Sequence, residues 1–138
     1  MINVTPSYTL KPIGVIHSEL KHLAAAPLQG DEGAPQAWLA LDPRTAPGLA
    51  GVRVGDELVV LTWLHRARRD VLQVHPRDRI ERPLTGVFAT RSQDRPNPVG
   101  LHRVSVLEAT GQGLRVAPME AIDGTPIIDI KPVLGEVR

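Results

Sequence analysis

Thirteen prolines are scattered through the 138 residues, and they leave few uninterrupted windows in which a long helix can form. An interior proline removes one helical hydrogen bond, and its ring clashes with the preceding turn. Between the Pro and Gly punctuation lies a series of short apolar-rich stretches: Ile13–Ile16, Trp38–Leu41, Leu58–Leu64, Val71–Val74, Leu84–Ala89, Leu101–Leu107, Leu114–Ala117 and Ile127–Ile130. Each has strand length, and Val, Ile and Leu dominate them. Turn chemistry separates them, with Gly55 and Asp56, the run Gly111 to Gly113, and Asp123 with Gly124. Within Leu101–Val106, Leu101, Arg103 and Ser105 fall on one side, and His102, Val104 and Val106 on the other. Such alternation signals a strand with one wetter face. Ala46–Gly51 reads as one short helical turn. Many short strands without βαβ spacing predict an all-β fold, a sandwich or a closed barrel, and closure would also remove exposed edges.

With 42% apolar residues, a chain of this length has the material for one core. A single domain over residues 1–138 is expected. No cysteine occurs, which excludes a disulfide framework, a thiolate metal site and a cysteine nucleophile. The start MINVTPSYTL lacks the features of a signal peptide, and no apolar run approaches the roughly 18 residues of a membrane span. A soluble, cytoplasmic protein that does not enter a membrane is expected.

The net charge of +1 hides an uneven distribution: residues 65–95 carry eight arginines against four acids, while the remainder is net acidic. A basic surface attracts phosphates, and a solvated face with internal ion pairs is the alternative reading. Only four residues are Phe, Trp or Tyr, too few for a platform of stacked bases.

Three segments can carry chemistry. In GVFATRSQDRPNPVGL, residues 86–101, a strand runs into Arg91, Ser92, Asp94 and Arg95 before Pro96-Asn97-Pro98. Two prolines stiffen the backbone around Asn97 and lower the ordering cost of binding. In AIDGTPIIDIKP, residues 121–132, Asp123 and Gly124 form a tight turn, where Asp ordinarily caps its own backbone. By strand alternation, Asp129 and Lys131 share one face of the strand that follows, and Ile128 and Ile130 the other. The third segment delivers His65, Arg66, Arg68 and Arg69 to the end of an apolar strand. No GxGxxG loop, Walker loop or GxSxG elbow is present, and the histidines lack zinc-hydrolase spacing, so no metal is expected.

The first two segments together closely resemble the paired signature of the TsaA-like (TrmO) family. Ile13–Ile16, Pro27-Leu28-Gln29 and Trp63-Leu64-His65 also occur in the order that family shows. Gln93 departs from a usual proline, and Val133 from a common aromatic residue. The resemblance implies a small single-sheet β-barrel with long connecting loops that uses S-adenosyl-L-methionine without a Rossmann domain. It implies a methyltransferase acting on the N6 nitrogen of threonylcarbamoyladenosine next to the anticodon of tRNA, and a homodimer. Carried over by motif, the cofactor site comprises Pro27, Leu28, Gln29, His65, Arg66, Arg91, Leu101, Ala121, Ile122, Asp123 and Gly124. Arg66, Arg68, Arg69 and Arg95 would hold the anticodon loop.

Methyl transfer needs alignment and loss of a proton from the acceptor nitrogen. Asp123, Asp129 and His65 are base candidates, with Arg91, Arg95 and Asn97 as donors to a developing anion. The residues leave that choice open. They also leave open a cofactor-binding module without transferase activity, and a methyltransferase with another small-molecule or RNA acceptor.

Overall fold

The computed structural model describes residues 6–21 and 34–135. Six strands close into an antiparallel barrel in the order β1-β2-β7-β6-β3-β8. They are β1 (Gly14–His17), β2 (Ala37–Leu41), β3 (Glu57–Trp63), β6 (Val99–Ala109), β7 (Gly113–Ala117) and β8 (Pro126–Pro132). Every one overlaps an apolar stretch of the sequence, and no α-helix occurs among the described residues, as thirteen prolines dictate. The expected helical turn is a short 3-10 helix at Ala46–Leu49.

Side-chain alternation decides what lies inside. Ile16, Leu39, Val60, Val104, Val106, Leu114, Val116 and Ile127 are fully buried on the strands, and Met119 joins them from the β7–β8 connection. Burying one such side chain contributes about 1.5–3 kcal/mol, which is what closes a sheet this small.

Two expectations are corrected. Val71–Val74 and Leu84–Ala89 do not join the barrel. Only β4 (Gln73–Val74) and β5 (Thr85–Gly86) pair, as a separate ladder between β3 and β6, and Val87–Ala89 turns into a 3-10 helix. Proline at 76 and 83 caps the length of either strand. In β8 the strict alternation fails, because the register against β3 shifts between Leu61, opposite Asp129, and Thr62, opposite Ile127. The extra residue, Ile128, sets Ile127 into the core instead, with Ile130 packed against it.

The antiparallel order has a geometric result for function. The C-terminal ends of β1, β3 and β7 and the N-terminal ends of β2, β6 and β8 all open at one end of the barrel, here called the mouth. The described residues of the three connections at the mouth are 18–21 and 34–36, 64–98 and 118–125. Those segments contain most of the described candidate residues named from the sequence.

Candidate functional site

The 121–124 turn is fastened to the chain leaving β1. The Asp123 N–H donates to the Leu20 carbonyl at 2.6 Å, and the Gly124 N–H to Ile16 at 2.7 Å. The Thr125 hydroxyl closes the turn on the Ile122 carbonyl at 2.6 Å. Gly124 has φ of 84°, a conformation that a side chain would strain. Ala121 and Ile122 are buried, so they present backbone rather than side chain to the mouth.

The Asp123 carboxylate accepts the Ser18 N–H at 2.9 Å and lies 3.0 Å from the Lys21 ammonium and 3.7 Å from Nδ1 of His17. The Ser18 amide first, and then Lys21, hold this carboxyl below its ordinary range. Asp123 therefore does cap backbone, as turn aspartates do, but it caps a distant segment rather than its own turn.

Beside it lies an open cleft of about 500 Å³ along the outer wall of β1, β2 and β7. His17, Lys21, Trp38, Arg115 and Asp123 line it. Trp38 is the register partner of His17 across one ladder and of Arg115 across the other, and the Arg115 guanidinium donates to Glu108 at 3.1 Å and to Gln36 at 2.8 Å. Of the described residues carried over by motif, only Asp123 lines this cleft. The other lining residues were invisible to sequence reasoning because the β2–β7 register, and nothing local, brings Arg115 beside Trp38.

The remaining candidates gather where β3 ends and β6 begins. His65, Arg66 and Arg91 are exposed, and Leu101 points outward opposite Leu61. Arg69 is already engaged: its guanidinium donates to the Pro96 carbonyl at 2.7 Å and to Asn97 Oδ1 at 3.0 Å, and lies 5.1 Å from the centre of the Trp63 ring. Arg95 turns inward and donates to the carbonyls of Ser92, Val87 and Thr90 at 2.7–2.8 Å. Three of its five donors thus hold the signature loop together. Arg68 pairs with Asp70 at 3.1 Å, with both side chains in solvent, while its N–H donates to Asp94. Asp129 sits outside the barrel, 3.1 Å from Lys131. Pro27, Leu28 and Gln29 lie outside the described residues.

The candidates thus fall into two groups. The cleft lies on the wall of β1, β2 and β7, whereas Leu101 lies on β6, two strands from β2, and points outward opposite Leu61 of β3. Just inside the mouth is a polar group that sequence reasoning assigned no role: Thr62, His102 and Glu120, hydrogen-bonded in a row. Its only signal was a histidine among valines on the apolar side of a strand. Among the described residues, no group of three or more His, Cys, Asp or Glu is placed to hold a metal ion. No helix there is long and apolar enough to cross a membrane.

Comparison with known proteins bears on these groups. The sequence model of the tRNA-methyltransferase O N-terminal domain matches residues 15–137. A probable S-adenosyl-L-methionine-binding protein of Methanothermobacter thermautotrophicus is 41% identical over 128 residues, covering 93% of this chain and 91% of the relative. A probable S-adenosyl-L-methionine-binding protein of Archaeoglobus fulgidus is 44% identical over 89% of this chain, which spans only 33% of that protein. Among solved structures, TrmO from Pseudomonas aeruginosa superposes with a TM-score of 0.72 at 27% identity, over 94% of this chain and 57% of that one. A second TrmO structure gives 0.74 at 27% identity, over 96% and 57%. The chain therefore spans little more than half the length of the solved structures it matches. The paired signature, the closed six-stranded barrel and the match over residues 15–137 agree, and the chain belongs to the tRNA-methyltransferase O N-terminal domain family.

Proposed function

We propose that this chain is a cytoplasmic S-adenosyl-L-methionine-dependent methyltransferase that modifies the N6 nitrogen of threonylcarbamoyladenosine beside the anticodon of tRNA. The observation that carries the reading is that both halves of the signature reach one barrel mouth, through residues 86–98 of the first and the 121–125 turn of the second. S-adenosyl-L-methionine is the cofactor, in keeping with the names of the archaeal relatives.

The residues present suit that ligand. The 121–124 turn offers backbone and the Asp123 carboxylate, an acceptor for ribose hydroxyls or an ammonium, and the cleft beside it is of nucleoside size. When bound, the cofactor supplies a methyl group on a sulfonium, and its transfer is an in-line displacement governed by alignment. The acceptor nitrogen bears a carbonyl and must lose its proton. Asp123, engaged by Ser18 and Lys21 and held acidic, is a weak base, and Asp129 is committed to Lys131 on the outer wall. His65, exposed at the mouth, is the best placed of the three. Arg91 and Asn97 face the same loop and can donate to a developing anion.

A homodimer fits the exposed apolar pair Val99 and Leu101 on β6, which a second copy would cover. The exposed arginines Arg66 and Arg68 remain as phosphate contacts for the anticodon loop.

Incubation of the purified protein with methyl-labelled cofactor and total tRNA, followed by digestion to nucleosides, tests the reading. Label in methylated threonylcarbamoyladenosine is expected. Label in another nucleoside would reassign the acceptor. Binding without transfer would make the chain a cofactor-binding module.

A further inference from the structure

Glu120 immediately precedes the 121–124 turn, and its carboxylate does not face the mouth alone. Oε1 lies 2.5 Å from Nδ1 of His102, whose Nε2 is 2.6 Å from the Thr62 hydroxyl. The His102 side chain is 4% exposed, Glu120 is 16% exposed, and Thr62 is fully buried. A carboxylate oxygen only accepts, so Nδ1 carries a proton and donates to Glu120, while Nε2 meets the Thr62 hydroxyl. The row runs from β3 across β6 to the β7–β8 connection, spanning the barrel interior directly beneath the mouth.

Buried polar groups lower stability relative to apolar ones unless every partner is present, and no buried side-chain polar atom lacks one among the described residues. The space for the row is made by Gly100, where a side chain would collide with the Thr62 hydroxyl and Nε2 of His102. The 121–124 turn is consequently held from two sides. The Asp123 carboxylate and the Asp123 and Gly124 N–H groups tie it outward to the chain leaving β1, and Glu120 ties it inward to His102.

We propose that His102 is a positioning residue whose bond to Glu120 sets the 121–124 turn and thereby its affinity for the cofactor. This rests on the reading of that turn as a cofactor contact. The row contributes position rather than chemistry.

The test compares two substitutions that keep one arm of the ring each. In His102→Asn the amide lies near the place of Nδ1 and still serves Glu120; in His102→Gln it reaches the place of Nε2 and serves Thr62 instead. A purely structural histidine would make both variants lose stability and affinity alike. Calorimetry with S-adenosylhomocysteine should give a Kd raised about tenfold, about 1.4 kcal/mol, for His102→Gln, and within about twofold of the parent for His102→Asn. Equal affinities in the two variants would overturn the proposal. If the parent itself binds no S-adenosylhomocysteine, the cofactor reading fails, and amide exchange then judges the strut separately. The Asp123 and Gly124 amides should exchange faster in His102→Gln than in His102→Asn, and equal rates would refute the strut. Should His102→Gln not fold, Glu120→Ala cuts the same bond at its more exposed end, and parental exchange at those amides would refute the strut.

Discussion

The carboxylate of Asp123 accepts the backbone N–H of Ser18 at 2.9 Å, so the turn between β7 and β8 is sewn to the chain leaving β1. The other carboxylate oxygen, Oδ2, lies 3.0 Å from Lys21, and both residues line the cleft. Asp123→Ala should weaken S-adenosylmethionine binding at least tenfold by calorimetry, a change of one decade in Kd. Asp123→Asn, which still accepts from Ser18 through its carbonyl, should recover part of the loss. Parental affinity in the alanine variant would confine Asp123 to capping.

That geometry also has a pH signature. The Asp123 carboxyl is held below its ordinary value by Ser18 and Lys21, so it binds protons less readily folded than unfolded. Its contribution to stability is therefore fully present above the unfolded aspartate value of about 3.9, and is lost as pH falls through the lower folded value. The melting temperatures of the parent and Asp123→Asn should differ most near neutrality and converge in acid. A constant difference over that range would contradict the assignment. Because the side chain is about a third exposed, with 31% of its surface in solvent, and Lys21 is more so, the effect should be small and should shrink with salt.

Arg68 and Arg69 are neighbours with different employment. Arg68 holds a solvated partner, Asp70, that a phosphate can replace, whereas Arg69 braces Pro96, Asn97 and Trp63. Arg68→Ala should lower the salt slope of tRNA binding by about 0.7–0.9 unit and leave cofactor affinity within about twofold. Arg69→Ala should instead loosen the signature loop, seen as changed Trp63 fluorescence and weaker binding of cofactor as well as tRNA. Identical behaviour of the two variants would undo this division.

Gly100→Ala places a methyl group against Thr62 and His102 in a fully packed interior. Overpacking of this kind costs about 1–3 kcal/mol, and it should appear as a lower midpoint in urea with an unchanged slope. Leu114→Ala, which empties space in the core instead, should cost about 2–5 kcal/mol without altering cofactor affinity in the folded protein.

The barrel was legible because its signals are local. Alternation at Leu101–Val106 placed His102, Val104 and Val106 on one face, and all three are buried. Proline spacing excluded long helices, and the Asp123-Gly124 turn sits where its dipeptide put it. What stayed hidden depends on register. Trp38 meets Arg115, and His102 meets Glu120, through pairings between strands and connections far apart in the chain. The β8 bulge likewise arises from its fit against β3 and has no mark in the run Ile127–Ile130. The arginine cluster was visible as charge, but charge does not reveal that Arg95 spends its donors on backbone carbonyls.

The direction of the strands has a practical side. β1 begins and β8 ends at the end of the barrel remote from the mouth, which is also where the short β6–β7 turn at Thr110–Gln112 lies. Anything joined to either strand there, whether an affinity handle, a surface tether or the additional length that larger relatives carry, departs from the floor of the barrel. To touch a bound RNA it must travel back along a wall that β8, with seven residues at about 3.3 Å each, makes roughly 20 Å high. Immobilising the protein by its end nearest β8 should therefore leave the mouth facing solution, and a fluorophore at Gly111 should report on the fold without obstructing a ligand.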